Sequence, residues 1–349
     1  MTVPGPAAPD PVTPDPVAPT IRTVLGDLDP AELGVTDSHD HLFIRSPLLP
    51  GEELDDAQGA EGVLHAFAAA GGRSFVQWTP YGMGRGDESL ADLSRATGVN
   101  VIAATGLHQA VHYDPGALPA LYDGLAERFT AELTTGSTTG PTIGSTTGPT
   151  TALTSERPGA PGGVRAGLIK VACDAGPTTQ HTRQVMTAAA EAHHATGAPI
   201  AVHLEAAADP FFVTQWLHAR HRVPPHRIIL GHLTRLPDVR LHRELAAEGV
   251  YLALDSPSRS AHPTDHQAVD LIADLVEAGH ASQLLLGADT TTRTARRAEG
   301  PTRLLTDLLP RLSRTFGPEL ADLLLTRNPA AAFAVPWRTR TRTRTGRRS

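Results

Sequence analysis

Lysine is all but missing from this chain: of 30 basic residues in 349, 29 are arginine and one is Lys170. Cysteine is as scarce, with Cys173 alone, which excludes an intrachain disulfide and points to a reducing, cytoplasmic location. No apolar run reaches the length of a membrane span, so no membrane partner is expected. The start of the chain has neither the basic segment nor the apolar stretch of a signal peptide. Prolines at 4, 6, 9, 11, 14, 16 and 19 instead predict a disordered, extended tail over residues 1–20. The formal net charge is −7, and Arg338, Arg340, Arg342, Arg344, Arg347 and Arg348 crowd the end, leaving about −13 on the rest. A body of that sign does not suit nucleic acid, and the Arg/Thr run over 337–349 is expected to be a solvated tail.

The single lysine lies where a cation is least welcome, within the apolar run Ala166-Gly-Leu-Ile-Lys-Val-Ala172. Arginine cannot give up its proton, whereas a buried lysine can be neutral and nucleophilic. A neutral amine can add carbon dioxide to become a carbamate, a bidentate anion suited to bridging two divalent metals. A Schiff base with a carbonyl substrate is the other use of such an amine. Cys173, three residues on, is expected to be a small core residue.

With 40% hydrophobic residues the chain can fill a sizeable core. Apolar runs rich in Val, Ile and Leu predict strands at 35–43, 73–79, 99–107, 166–173, 199–205, 227–233, 250–255 and 283–289. Amphipathic segments predict helices at 59–70, 87–97, 116–133, 178–196, 209–222, 237–248, 264–279 and 301–315. Strand then helix, eight times over, is the pattern of a (β/α)8 TIM barrel, here a single domain over 21–336. A doubly wound sheet would carry a glycine-rich turn after its first strand, and Asp37-Ser-His-Asp-His41 stands there instead. Residues 134–163 break the rhythm with Gly136-Ser-Thr-Thr-Gly-Pro-Thr142 repeated as Gly144-Ser-Thr-Thr-Gly-Pro-Thr150, a low-complexity insertion expected to be flexible. It follows a helix and precedes a strand, which in a barrel is the face opposite the active site.

His39 and His41 are two apart on the first barrel strand, so both point to one face. Isolated, that pair is as readily packed or hydrogen-bonded as metal-bound. Lys170, His203, His232 and Asp289 fall at the same depth on the fourth, fifth, sixth and eighth strands. Burying these groups unpartnered would cost about 1–3 kcal/mol each, and metal coordination satisfies all of them. The chain has 17 histidines, and His65, His181, His193, His194, His218, His221, His226, His242, His266 and His280 fall on or beside helices, where solvated positions are expected. His108 and His112, beyond the third strand, are candidates for the pocket mouth.

From about Gly26 to Val335 these residues resemble the phosphotriesterase family of the amidohydrolase superfamily. Gly34-Val-Thr-Asp-Ser-His-Asp-His-Leu42 is similar to the family's Gly-x-Thr-x-x-His-Glu-His-x opening, with Asp40 replacing the usual glutamate. Gly84-Arg-Gly-Asp87, Leu90-Ala-Asp-Leu-Ser-Arg95, Ala103-Ala-Thr-Gly106, Gly167-Leu-Ile-Lys170, His203, Gly231-His232, Asp289 and Asn328-Pro329 follow in the family's order. The resemblance implies that His39, His41 and Asp289 bind a more buried metal and His203 and His232 a more exposed one. Carbamylated Lys170 and a hydroxide would bridge them, with Asp289 accepting the proton. Zinc, manganese, cobalt and iron all suit such ligands. Family members commonly dimerise, so a homodimer is implied.

Departures from the family fall where substrates are chosen: His108 after the third strand, Ser256-Pro257 after the seventh, and a short loop eight, Thr290 to Gly300. Arg235, Arg259 and Arg293 are candidates for holding an anionic substrate. The function these residues point to is hydrolysis of a lactone, carboxylic ester or amide, with phosphotriesterase activity secondary. A phosphomonoester or phosphodiester hydrolase on the same metals is the runner-up. A barrel that has lost catalysis and binds a partner is the reading from another class.

Overall fold

The computed structural model describes residues 18–137, 163–236, 238–255, 268–298 and 300–338. A short antiparallel hairpin comes first, β1 (Ile21–Thr23) and β2 (Gly26–Leu28). Eight parallel strands follow: β3 (Thr36–Asp40), β4 (Ser74–Gln77), β5 (Asn100–Gly106), β6 (Ala166–Cys173), β7 (Ile200–Leu204), β8 (Ile228–Gly231), β9 (Tyr251–Asp255) and β10 (Leu284–Gly287). Sequence neighbours are sheet neighbours from β3 round to β10. The ring closes where Asp289 N donates to His39 O at 2.9 Å. This is the (β/α)8 barrel that the alternation predicts, and every expected strand lies where its apolar run is.

The strands read as unbroken apolar runs because both faces are buried. Val76, Trp78, Ile102, Ala104, Leu168, Ala201, Ile229, Ala253 and Leu285 fill the barrel, and Ile21, Leu33 and Phe333 pack onto the same cluster. The alternate residues, among them Phe75, Val101, Ile169, Val171, Val202, Leu230, Leu252 and Leu286, pack outward against the helices. At about 25 cal/mol per Å² of apolar area, this double burial dominates the stability of the fold.

The helices are α1 (Ala57–Ala69), α2 (Asp87–Thr97), α3 (Leu118–Tyr122), α4 (Leu125–Thr134), α5 (Gln180–Thr196), α6 (Pro210–Thr214), α7 (Val239–Ala247), α8 (Ala268–Glu277), α9 (Arg293–Ala298), α10 (Leu309–Phe316), α11 (Pro318–Asp322) and α12 (Asn328–Phe333). Side chains of Asp56, Thr179, Asp209 and Asp238 cap α1, α5, α6 and α7 by accepting from free backbone N–H groups. The helix expected over 116–133 is two, parted at Gly124, whose φ of 70° ends one and starts the other. Loop eight is not all loop, since it contains α9. Trp337, expected in the tail, is instead buried, and its Nε1 donates to Thr20 O at 3.1 Å.

Three histidines expected on the surface are buried. His181 Nε2 donates to His108 O at 2.6 Å, His193 Nδ1 to Ala198 O at 2.6 Å and His242 Nε2 to Leu233 O at 3.1 Å. Each ties a helix to a neighbouring loop through its own side chain, which pairing a ring nitrogen with a carbonyl makes affordable.

Residues 1–17, most of the insertion (138–162), Arg259 and the tail from 339 lie outside the described residues. The described ends of the insertion meet, with Ser137 N donating to Val164 O at 2.8 Å, at the foot of β6 and so opposite the strand ends. Ser137 also helps hold down the carboxyl of the partly buried Asp87, which burial raises. Excision that preserves these contacts therefore spans 138–162. Replaced by a short glycine-serine link, that segment should leave turnover and melting temperature close to wild type. A folded deletion with turnover reduced more than about tenfold would place the insertion at the site instead.

Candidate metal centre

The six residues expected to ligate metal converge at the C-terminal ends of the strands. His39 and His41 come from the end of β3, Lys170 from β6 and His203 from β7. His232 follows β8 and Asp289 follows β10. His39, His232 and Asp289 each offer a ligand atom within 4.8 Å of the others. The turns that aim the last two are unusual: His232 has φ 65° and Asp289 φ 49°, a left-handed backbone that few residues other than glycine adopt.

Hydrogen bonds fix which nitrogen each ring presents. Asp255 Oδ1 accepts from His39 Nδ1 at 2.8 Å, leaving the Nε2 lone pair facing Asp289 Oδ1 at 3.6 Å. His41 Nδ1 lies 2.7 Å from Thr79 Oγ1, which donates its own proton to Phe43 O at 2.5 Å, so Nδ1 carries the proton. His41 Nε2 is then a bare acceptor 3.5 Å from the same Asp289 oxygen. Beneath, the Trp78 ring stacks on His39 at 3.6 Å and is itself held by its Nε1 donating to Ser38 O. His232 N donates to Asp255 Oδ2 at 2.6 Å, and its Nδ1 lies 2.9 Å from that oxygen but out of line for a hydrogen bond. His232 Nε2 and His203 Nδ1 converge at 2.7 Å, and one of them carries the proton.

Burial pushes the His41 and His203 imidazoles down to about 4 and holds His232 and His108 well below their usual value. At neutral pH these rings are uncharged, as ligands must be. Burial also pushes the Lys170 ammonium down to about 7, opposed by Asp289. Lys170 is 2% exposed, and among the described residues no hydrogen bond or ion pair engages its amine. Burial works to raise Asp289, but the positive charge around it, with the Arg235 guanidinium donating to Oδ2, holds the carboxylate below its ordinary range. Cys173 is buried and its thiol is pushed up to about 12, an inert core residue.

Of the four expected substrate contacts, two stand at this cluster. His108 packs its ring 4.6 Å from His203 and 4.3 Å from His112. Arg235 donates to Asp289 Oδ2 at 2.9 Å. Arg293 instead is largely exposed and reaches Glu53 O and Asp55. Asp255 and Thr79 were missed as site residues, although Asp255 ends an apolar strand just as Asp289 does.

The depressed lysine has a measurable consequence in metal-free, bicarbonate-free protein. Between about pH 7 and 10.5 the unfolded chain keeps the Lys170 proton and the folded chain does not, so stability rises with pH across that window. Below it the full cost of the buried charge is present. Chemical denaturation at pH 7 and 9 should favour wild type over Lys170→Met by an extra 1–3 kcal/mol or so at the higher pH. An unchanged difference would mean that Lys170 ionises as in water.

The family model of the phosphotriesterase family matches residues 19–144 and 155–333. A phosphotriesterase homology protein of Mycobacterium tuberculosis is 30% identical over 285 residues, covering 78% of this chain and 81% of the relative. A phospho-furanose lactonase of Mycoplasmopsis agalactiae is 25% identical, covering 72% and 70%. The crystal structure of a mutant phosphotriesterase-like lactonase from Deinococcus radiodurans superposes with a TM-score of 0.76 at 26% identity, over 90% of this chain and all of that one. With the whole barrel matched and the strand-end histidines gathered at one pole, this chain belongs to the phosphotriesterase family and is a metal-dependent hydrolase.

Proposed function

We propose that the chain hydrolyses a lactone or related carboxylic ester, with amides and phosphotriesters as slower substrates, using two divalent metal ions, zinc foremost. One observation carries the reading: the Lys170 amine is buried, with no hydrogen bond or ion pair among the described residues, beside His39 and His41, whose Nε2 atoms face Asp289. His39, His41 and Asp289 would hold the inner ion and His203 and His232 the outer. Lys170, as its carbamate, would supply the anion joining them, which uncharged imidazoles cannot. Bound there, the ions would generate hydroxide at neutral pH and polarise the scissile carbonyl.

The protein's own groups then do the rest. Asp255 fixes the proton on His39 Nδ1, and Thr79 does so for His41, so both rings keep their lone pairs inward. Asp289, with one oxygen toward those histidines and one on Arg235, takes up the proton released as water attacks. Arg235 spends one N–H on Asp289, which leaves the rest of its guanidinium for an anionic substituent on the substrate. The lactonase names of two relatives support the substrate class, and the phosphorylated sugar lactone named in one supports the anion. The same guanidinium suits a phosphoester, which is the second reading. The lone cysteine supports a cytoplasmic setting.

Asp289→Asn should lower kcat on lactones by about 10²–10⁴ while KM stays within about threefold. For the wild type, kcat/KM on simple lactones should exceed that on aryl dialkyl phosphates. Full turnover in the variant would remove Asp289 from proton transfer, and the reverse substrate order would overturn the lactone assignment.

A further inference from the structure

His41 has a weak point that His39 lacks. His39 lies within β3, and its carbonyl accepts from Asp289 N across the barrel seam. His41 follows the last residue of β3, where the ladder to β4 has ended at Asp40 and Gln77. Side chains take over the backbone there. His41 N donates to Asp40 Oδ1 at 2.6 Å, Leu42 N to Gln77 Oε1 at 2.7 Å, and Phe43 O accepts from Gln77 and Thr79. The carbonyls of His41 and Leu42 take neither kind of partner. Among the described residues their partner is Arg296 of α9, whose Nη2 donates to them at 2.8 and 2.6 Å.

Among the described residues no ion pair within salt-bridge distance engages Arg296, and Asp40 and Asp56 act on its charge from farther off. Its Nε is buried without a hydrogen bond, a cost borne for the sake of the two carbonyl contacts. The helix carrying it is fastened to the same loop at its outer end, where Glu52 accepts from Thr294 N and Thr294 Oγ1, each at 2.7 Å. Nearer the site, Asp40 accepts from Thr290 N at 2.6 Å, one residue beyond Asp289. The segments bearing His41 and Asp289 are thus stitched together on both sides of the seam.

We propose that Arg296 is a positioning residue: it stands in for the absent ladder past the end of β3 and fixes the His41 peptide, so that the imidazole keeps its place in the metal centre. A lysine at 296 could still reach one carbonyl, whereas a methionine fills the space and reaches neither. The inference rests on the reading that His41 is a ligand.

The test is zinc affinity of the metal-free protein, by competition with a chromophoric chelator, alongside its melting temperature without metal. Arg296→Met should bind zinc about 10–100-fold more weakly and, with two buried carbonyls left unpaired, melt somewhat below wild type while remaining folded, with Arg296→Lys recovering much of both losses. Glu52→Ala, which loosens α9 away from His41, should keep wild-type affinity. Zinc bound as tightly by Arg296→Met as by wild type overturns the positioning role alone. An equal loss in Glu52→Ala does so too, because it reports general loosening of the loop. A wild type that takes up no zinc removes the metal reading and this inference with it.

Discussion

A buried amine, whose charged form burial disfavours, at the top of an apolar barrel is the constraint on which this site depends. Beneath Lys170 the interior is filled by Leu168, Ile102, Ala201 and Ile229, so its charge finds no water below and faces imidazoles around it. Burial moves the lysine and the histidines the same way, toward their uncharged forms. A site built from neutral nitrogen donors attracts divalent cations but does not balance them. On the proposed two-metal reading, Asp289 would contribute one negative charge and a carbamate on Lys170 a second. On that reading arginine, used at every other basic position, would not serve at 170.

Barrel closure sets how well those donors are aimed. The ends of the first and last barrel strands, β3 and β10, carry candidate ligands and meet through Asp289 N on His39 O. Gly287 allows the approach, since a Cβ there would stand 2.6 Å from His39 O. Gly106 plays a similar part on the far side, where a Cβ would fall 1.9 Å from the carbonyl of Lys170 itself. Asp255 then couples the two halves of the site, one oxygen on the His39 ring and the other on the His232 backbone. Left-handed backbone at His232 and Asp289 carries local strain that these hydrogen bonds hold in place.

The architecture was legible because parallel strands buried on both faces are unbroken apolar runs, and the glycines, prolines and amphipathic segments between them are equally plain. The candidate ligands were legible because polar residues ending such runs are conspicuous. What supports them was not. Asp255 lies 216 residues from the ring it orients, and Arg296 lies 255 from the carbonyl it holds, so neither has a local signature. His181, His193 and His242 were misplaced because a histidine on a helix counts as polar in the pattern, whereas one ring nitrogen on a carbonyl lets it lie inside. Helix α9 was missed since its first turn, Arg293-Thr-Ala-Arg, has no apolar face; Glu52 at its start and the Arg296 contacts at its middle shape it from outside.

The central claim is that a modified Lys170 joins two metal ions, and metal content per chain tests it most directly. Protein expressed with divalent cations and bicarbonate, measured by elemental mass spectrometry, should carry about two equivalents, and Lys170→Ala should lose most of them while remaining folded. No metal in the wild type, or the same load in Lys170→Ala, would contradict the account.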